Sequence, residues 1–332
     1  MAASQQKPVY SVYIVSGTNK YNVTPAVISQ SRAEPAGQIA QRVTLRLANV
    51  RVGDTWLSSL LKARDRVFIY ANNSDKEEDE VFRGYLWNLA RTDSLSEKEL
   101  KYVCYDHLIY FQESEDSLYF TADKSTKDIM SSICGKWGIK LNYGYESITH
   151  PKLPLRGYLS DIFAVILDAV KRKTKKKYVI LSEKDTMIVR PVGANSKIYH
   201  FIAGENVIKT ASGWTMEGMI TQVIIVGKAD KDDRELIEAT VSGDTSTYGT
   251  LQKIMIRDEN TNLADEKIVA QNTIDESGKP KWEYHLTAAD IPWIRKGDKV
   301  RVSAGEISGD RIVVDIDRDG MKNLMTLVLE EV

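Results

Sequence analysis

Asp65-Arg-Val-Phe-Ile69, Val81-Phe-Arg-Gly-Tyr-Leu86 and Leu100-Lys-Tyr-Val-Cys104 are three short apolar stretches in series. A second series follows much later: Asp298-Lys-Val-Arg-Val302, Arg311-Ile-Val-Val-Asp-Ile316 and Met325-Thr-Leu-Val-Leu329. Each opens on an acidic residue, a basic residue, Val, any residue and a β-branched residue, then runs through two further strands. The loop between the first two strands is acidic in the early series (Asp75–Glu80) and runs from Gly305 to Gly309 in the late one. This echo predicts a duplicated β unit, a small barrel or sandwich in each half. Two unrelated antiparallel meanders would leave the same short trace.

The sequence around the early series extends the β reading. Val9–Val15 is a short apolar run suited to a buried strand, and Val43, Leu45 and Leu47 alternate with Thr44, Arg46 and Ala48, the period of a half-buried strand. The character changes near residue 120. Ile129, Met130, Ile133 and Trp137 recur at helical spacing, with Ser125 or Thr126 to cap the start and Gly138 to stop the run. A second helix begins at Ser160-Asp161 and ends in Lys171-Arg-Lys-Thr-Lys-Lys-Lys177; the hairpin Tyr178–Leu181 and Met187–Arg190 follows. Strands return at 221–227 and 236–242, a helix is expected over Leu263–Asp275, and the late series closes the chain. The division is 1–108 as a first β domain, 109–200 as an α+β middle domain, and 201–332 as a second β domain with a helical insertion at about 260–278. The fold class is α+β and β-rich.

Composition narrows the function. The 332 residues carry 45 basic and 46 acidic side chains, a net charge of −1, which is no profile for nucleic-acid binding. The longest apolar run, Ile162–Leu167, is far too short to span a bilayer, and the N-terminal stretch lacks the pattern of a signal peptide. With two cysteines and four histidines, neither a disulfide framework nor a structural zinc site is expected.

The constellations that could carry chemistry are weak. Cys104 and His107 are three apart beside a strand, which puts them on opposite faces, so packing is expected and not a nucleophile–base pair. His150, His200 and His285 are isolated. Asp315-Ile-Asp-Arg-Asp-Gly320 resembles a calcium loop but has Thr326 where the twelfth-position Glu belongs; a strand–turn–strand is the better reading. The carboxylate pairs Asp232/Asp233 and Asp258/Glu259 diverge if on strands. No catalytic, cofactor or metal residue is assigned. Lys175, Lys176 and Lys177 read as a solvated helix end or a contact for an acidic partner. Trp214 and Trp293, in turn-rich sequence, are candidate interface anchors.

Taken in order, the Asp-Arg-Val strand, Val81-Phe-Arg-Gly84, Tyr105-Asp-His107, Tyr158-Leu-Ser-Asp161, Tyr248-Gly249 and Arg295-Lys-Gly-Asp-Lys-Val300 resemble the XkdQ/YqbQ-type baseplate hub proteins of contractile phage tails. A more distant similarity is to late control protein D. The resemblance spans about residues 5–332, and the order of these short motifs carries it. It implies two tail-tube-like β-barrels flanking a small α/β unit, in a structural virion component of a phage, prophage or contractile injection system. A homotrimeric ring would adapt the six-fold tail tube to the three-fold spike. Implied partners are a second and third copy, the tail tube protein, the spike protein, the tape-measure protein, and baseplate wedge or LysM-type hub proteins. Neither a membrane nor a specific nucleic acid is implied, DNA only passing through the lumen. The place is the tail baseplate, after synthesis and assembly in the bacterial cytoplasm. The competing reading is a tail-associated cell-wall hydrolase or peptidase.

Overall fold

A computed structural model of the chain describes residues 7–73, 76–94, 98–227, 235–257 and 261–332. It divides into two compact units, Met1–Ala211 with Tyr284–Val332, and Ser212–Glu283. The β-rich α+β expectation holds. The first unit is built on a thirteen-stranded sheet, and among the described residues its strands close into no separate barrel.

The early strands form where alternation placed them. Arg42–Ala48 buries Val43, Leu45 and Leu47 completely and turns Thr44 and Arg46 outward. Those three pack with Val12, Ile14, Val67, Ile69, Leu86 and Cys104 in one apolar core. A second core of the same kind gathers Leu286, Val300, Val302, Ile316, Leu327 and Leu329. Gly84 is required in the first: a Cβ there would stand 2.2 Å from the carbonyl oxygen of Tyr105.

The echo in the sequence is an echo in the backbone. Lys62 donates its N–H to Asp65 Oδ2 (2.7 Å), and Arg295 donates to Asp298 Oδ2 (2.9 Å). The third residue of each turn has positive φ, Arg64 at 70° and Gly297 at 80°. Arg64 N bonds Leu86 O and Leu86 N bonds Asp65 O; Gly297 N bonds Val313 O and Val313 N bonds Asp298 O. The strand Arg66–Asn73 then pairs antiparallel with Lys76–Asp93, and Lys299–Ala304 with Ile307–Asp319. The register with the next strand slips between Leu86 and Asn88 in one copy, and between Val313 and Asp315 in the other, so Trp87 and Val314 are matching bulges. Asn49 N bonds Lys98 O, as Asp290 N bonds Asn323 O. The meanders are therefore two copies of one unit. They join edge to edge where Ile316–Asp319 pairs antiparallel with Ser31–Glu34.

The middle segment forms as its helical periodicity requires. Helix Thr126–Lys136 is capped by Ser125, whose hydroxyl accepts from Asp128 N, and Gly138 ends the run at a φ of 65°. Helix Leu159–Thr174 starts after Tyr158 and stops at Lys175, in the left-handed region at 63°. The hairpin Tyr178–Glu183 and Thr186–Pro191 adds Lys140–Tyr143 in parallel. Its apolar core takes in Ala40, Trp87 and Tyr105 from the first β region.

In the second unit, Gln222–Val226 pairs with Ile237–Ser242 and Gln252–Ile256 in a three-stranded sheet under helix Leu263–Ser277. The strands expected at 221–227 and 236–242 thus exist, but pair within this small sheet and not as members of a second barrel. A period of two identifies a strand without naming its neighbour.

Candidate functional site

The sheet joint between the two copies encloses a charged cluster. Arg32, Glu34, Asp290 and Arg318 are each at most 4% exposed. Alternation along Gln30-Ser-Arg-Ala-Glu34 turns Gln30, Arg32 and Glu34 to the same side, and all three are buried. Arg318 donates Nε to Asp290 Oδ1 (3.1 Å) and Nη2 to the carbonyls of Ile291 and Ile294. Arg295 donates Nε to Glu34 Oε1 (2.7 Å). Arg32 reaches the Pro292 carbonyl with Nη2 (3.0 Å), and Tyr10 donates its hydroxyl to Asp290. Burial raises the pKa of Glu34, but Arg295, Arg318 and Lys296 outweigh it and hold the carboxyl below its usual range. Arg32 is pushed down to about 10 by burial first and Arg318 second.

Asp106 stands beside this cluster. Its two oxygens accept from Gln41 N (2.9 Å) and Leu108 N (2.9 Å). Burial pushes it up to about 7, opposed by those two bonds and by Arg295, and reinforced by Glu34. A raised carboxyl binds its proton more tightly in the folded state. Its contribution is therefore fully present below the unfolded value near 4 and is lost as pH rises through about 7. Urea midpoints between pH 5 and pH 8 are expected to fall more steeply for the native chain than for Asp106→Asn. Equal slopes would refute the assignment.

The two strand edges that correspond to those at the internal joint have no strand beside them among the described residues. One is the side of Leu89–Asp93 turned away from Lys98–Tyr105. The other is Val207–Thr215, the terminal strand in the sheet order. Leu89 and Arg91 are the counterparts of Ile316 and Arg318, counted from the matching bulges. Ile316 is completely buried at the joint, whereas Leu89 is 41% exposed. Ile208, in the other free edge, is 62% exposed.

The residues singled out from sequence distribute around these features. Trp214 is 62% exposed in the strand Val207–Thr215. Trp293 packs half-buried against the second core. Lys175 is exposed; Lys176 pairs with Glu146, and Lys177 Nζ lies 2.8 Å from Glu330 Oε1. The basic run is thus partly neutralised by the chain's own carboxylates, in pairs worth about 0–1 kcal/mol each. Cys104 and His107 are not brought together. The thiol lies in the first core, where burial pushes its pKa up, and His107 Nδ1 is 3.1 Å from Ser182 Oγ. His150 Nε2 is 2.8 Å from Thr126 Oγ1. Asp315–Gly320 is the end of a strand and its turn, where Asp319 Oδ1 accepts from Met321 N and Lys322 N. Among the described residues no three His, Cys, Asp or Glu side chains gather as for a metal. Asp232, Asp233, Asp258, Glu259 and Asp75 lie outside the described residues; of the acidic loop, Glu80 is paired with Arg83 at 2.6 Å.

The buried cluster escaped the sequence reading because its members are as many as 280 residues apart, as Tyr10 and Asp290 are. Two charges in the core-facing register at Arg32 and Glu34 were the available signal.

The model of the family described as YQBQ-like matches residues 68–329. No curated protein matches. Among solved structures, a tail protein from Neisseria meningitidis MC58 superimposes with a TM-score of 0.70 at 12% identity, covering 97% of this chain and 96% of that one. The 43 kDa tail protein of prophage MuSo2 from Shewanella oneidensis gives 0.67 at 13%, covering 97% and 98%. Prophage tail protein gp18 from Listeria monocytogenes EGD-e gives 0.58 at 11%, covering 97% and 94%. At these identities the likeness establishes a shared fold.

Proposed function

The chain belongs to the YQBQ-like family, and from that premise we propose that it is a structural hub of a contractile phage-tail baseplate or tail-like particle. In this reading 1–108 and 201–332 are tube-like β domains and 109–200 is the middle domain between them. Three copies close into a ring, with the tail tube on one side, the spike on the other, and the tape-measure and wedge or LysM-type proteins nearby. It is made and assembled in the bacterial cytoplasm and works in the particle.

One observation carries the reading. Two copies of a β unit are already joined edge to edge within the chain, at Ile316–Asp319 against Ser31–Glu34. The counterpart edges, Leu89–Asp93 and Val207–Thr215, are left free. Repeating the internal joint between neighbours would use both and cover them, and open edges invite uncontrolled pairing. Three chains then present six similar β units to the tube and three identical chains to the spike. Native mass spectrometry of the purified protein, and its stoichiometry in the particle, are expected to give three copies. A monomer at all concentrations, or six copies per particle, would overturn the ring.

A further inference from the structure

A cavity of about 390 Å³ opens beside the first β region, lined among others by Arg64, Arg66, Tyr85, His107, Tyr110 and Asp185. Its wall is short of partners. His107 is 4% exposed and faces Ser182 with Nδ1, while its Nε2 is buried with no bond. Arg66 Nε, the Tyr110 hydroxyl and Asp185 Oδ1 are in the same state. Buried polar atoms are nearly always paired, and an unpaired one costs about 1–3 kcal/mol. Around one cavity they mark a place for a ligand: Arg66 Nε–H and the Tyr110 hydroxyl can donate to it, as can His107 Nε2 where that nitrogen carries the proton, whereas Asp185 Oδ1 can only accept.

The charge selects the ligand. Asp185 Oδ2 is already shared by Arg66 (2.7 Å) and Arg83 (3.1 Å). The Arg64 guanidinium lies 5.8 Å from the ring centres of both Tyr85 and Tyr110. Among the described residues Arg64 has no carboxylate partner, so the cavity holds more positive charge than its one carboxylate balances. The volume falls within the roughly 300–1,000 Å³ of organic-ligand pockets, more than a lone ion fills.

We propose that this cavity takes a carboxylate on a short aliphatic stem, the chemistry of a glutamate or aspartate side chain. Arg64, Arg66 Nε–H and the Tyr110 hydroxyl face the carboxylate, while Tyr85, Trp137 and Ile139 cover its aliphatic stem. The site is independent of the ring and would remain if the ring were disproved.

The test uses the full chain with labelled histidine, in which His107 is one of four. Burial holds its imidazole neutral, with a pKa lowered to about 4; Asp185 opposes this and Arg66 adds to it. A bound carboxylate shifts that titration upward. N-acetylglutamate α-amide is expected to move the His107 signals saturably and raise their midpoint, leaving His200 and His285 unmoved. The glutamine analogue and inorganic phosphate are expected to bind at least tenfold more weakly. Arg64→Gly is expected to weaken binding at least tenfold and keep the fold, since the matching turn has Gly297 at a φ of 80°. No His107 response, equal binding of phosphate or of the glutamine analogue, or undiminished binding in Arg64→Gly would each overturn the proposal. Phosphate matching the glutamate probe would identify a general anion site.

Discussion

Arg318→Met is expected to lower the stability of the larger unit by about 3–5 kcal/mol, the cost of removing one partner from a buried ion pair. The side chain is 2% exposed and serves Asp290 together with the carbonyls of Ile291 and Ile294. Without it Asp290 Oδ1 and the Ile294 carbonyl lose this donor and methionine supplies none, while Tyr10 still serves Asp290 Oδ2 and Ile294 N still serves the Ile291 carbonyl. For a unit of this size the melting temperature should fall on the order of 10 °C. Scanning calorimetry decides it. Arg318→Met combined with Asp290→Leu should recover part of the loss, because replacing both charges removes the uncompensated carboxylate. A single variant that melts with the native chain would show that the joint is held by its backbone pairing alone.

Leu89→Lys is expected to act on association and leave folding alone. Leu89 is 41% exposed, and its counterpart Ile316 is completely buried in the internal joint. Burial of a leucine is worth about 1.5–3 kcal/mol. Each joint between neighbours should therefore weaken about tenfold or more, at about 1.4 kcal/mol per decade. Sedimentation equilibrium of the variant should show the trimer dissociating at higher concentration, with an unchanged unfolding midpoint. A trimer of native affinity would place the contact elsewhere.

The parts of this architecture that depend on local pattern were legible in the sequence. The alternation of Val43, Leu45 and Leu47, the helical spacing of Ile129, Met130 and Ile133, and the Asp-basic-Val openings at 65 and 298 all appear where the periodicity places them. Strand partnership was not legible. Gln222–Val226 reads like any buried strand, and its pairing with Gln252–Ile256 follows from long-range packing that no local period encodes. The joint was hidden for the same reason, since Arg32 and Pro292 meet across 260 residues. The cavity beside Tyr85 likewise draws on Arg64, His107 and Asp185, which share no motif.

The two matching turns differ in one respect that their shared hydrogen bonds do not require. Gly297 adopts positive φ freely, whereas Arg64 holds nearly the same angle against the clash of its own Cβ, at roughly 1–2 kcal/mol. The chain thus contains its own control: one copy has the relaxed turn, the other the strained one. The surroundings differ too: a Cβ at Gly297 would stand 2.7 Å from Val179 Cγ1, whereas Arg64 has room to lay its guanidinium 5.8 Å from the ring centres of both Tyr85 and Tyr110. Glycine is therefore obligatory in the late copy, while the early copy carries a side chain whose two ring contacts, each worth about 0.5–1 kcal/mol, offset part of the strain.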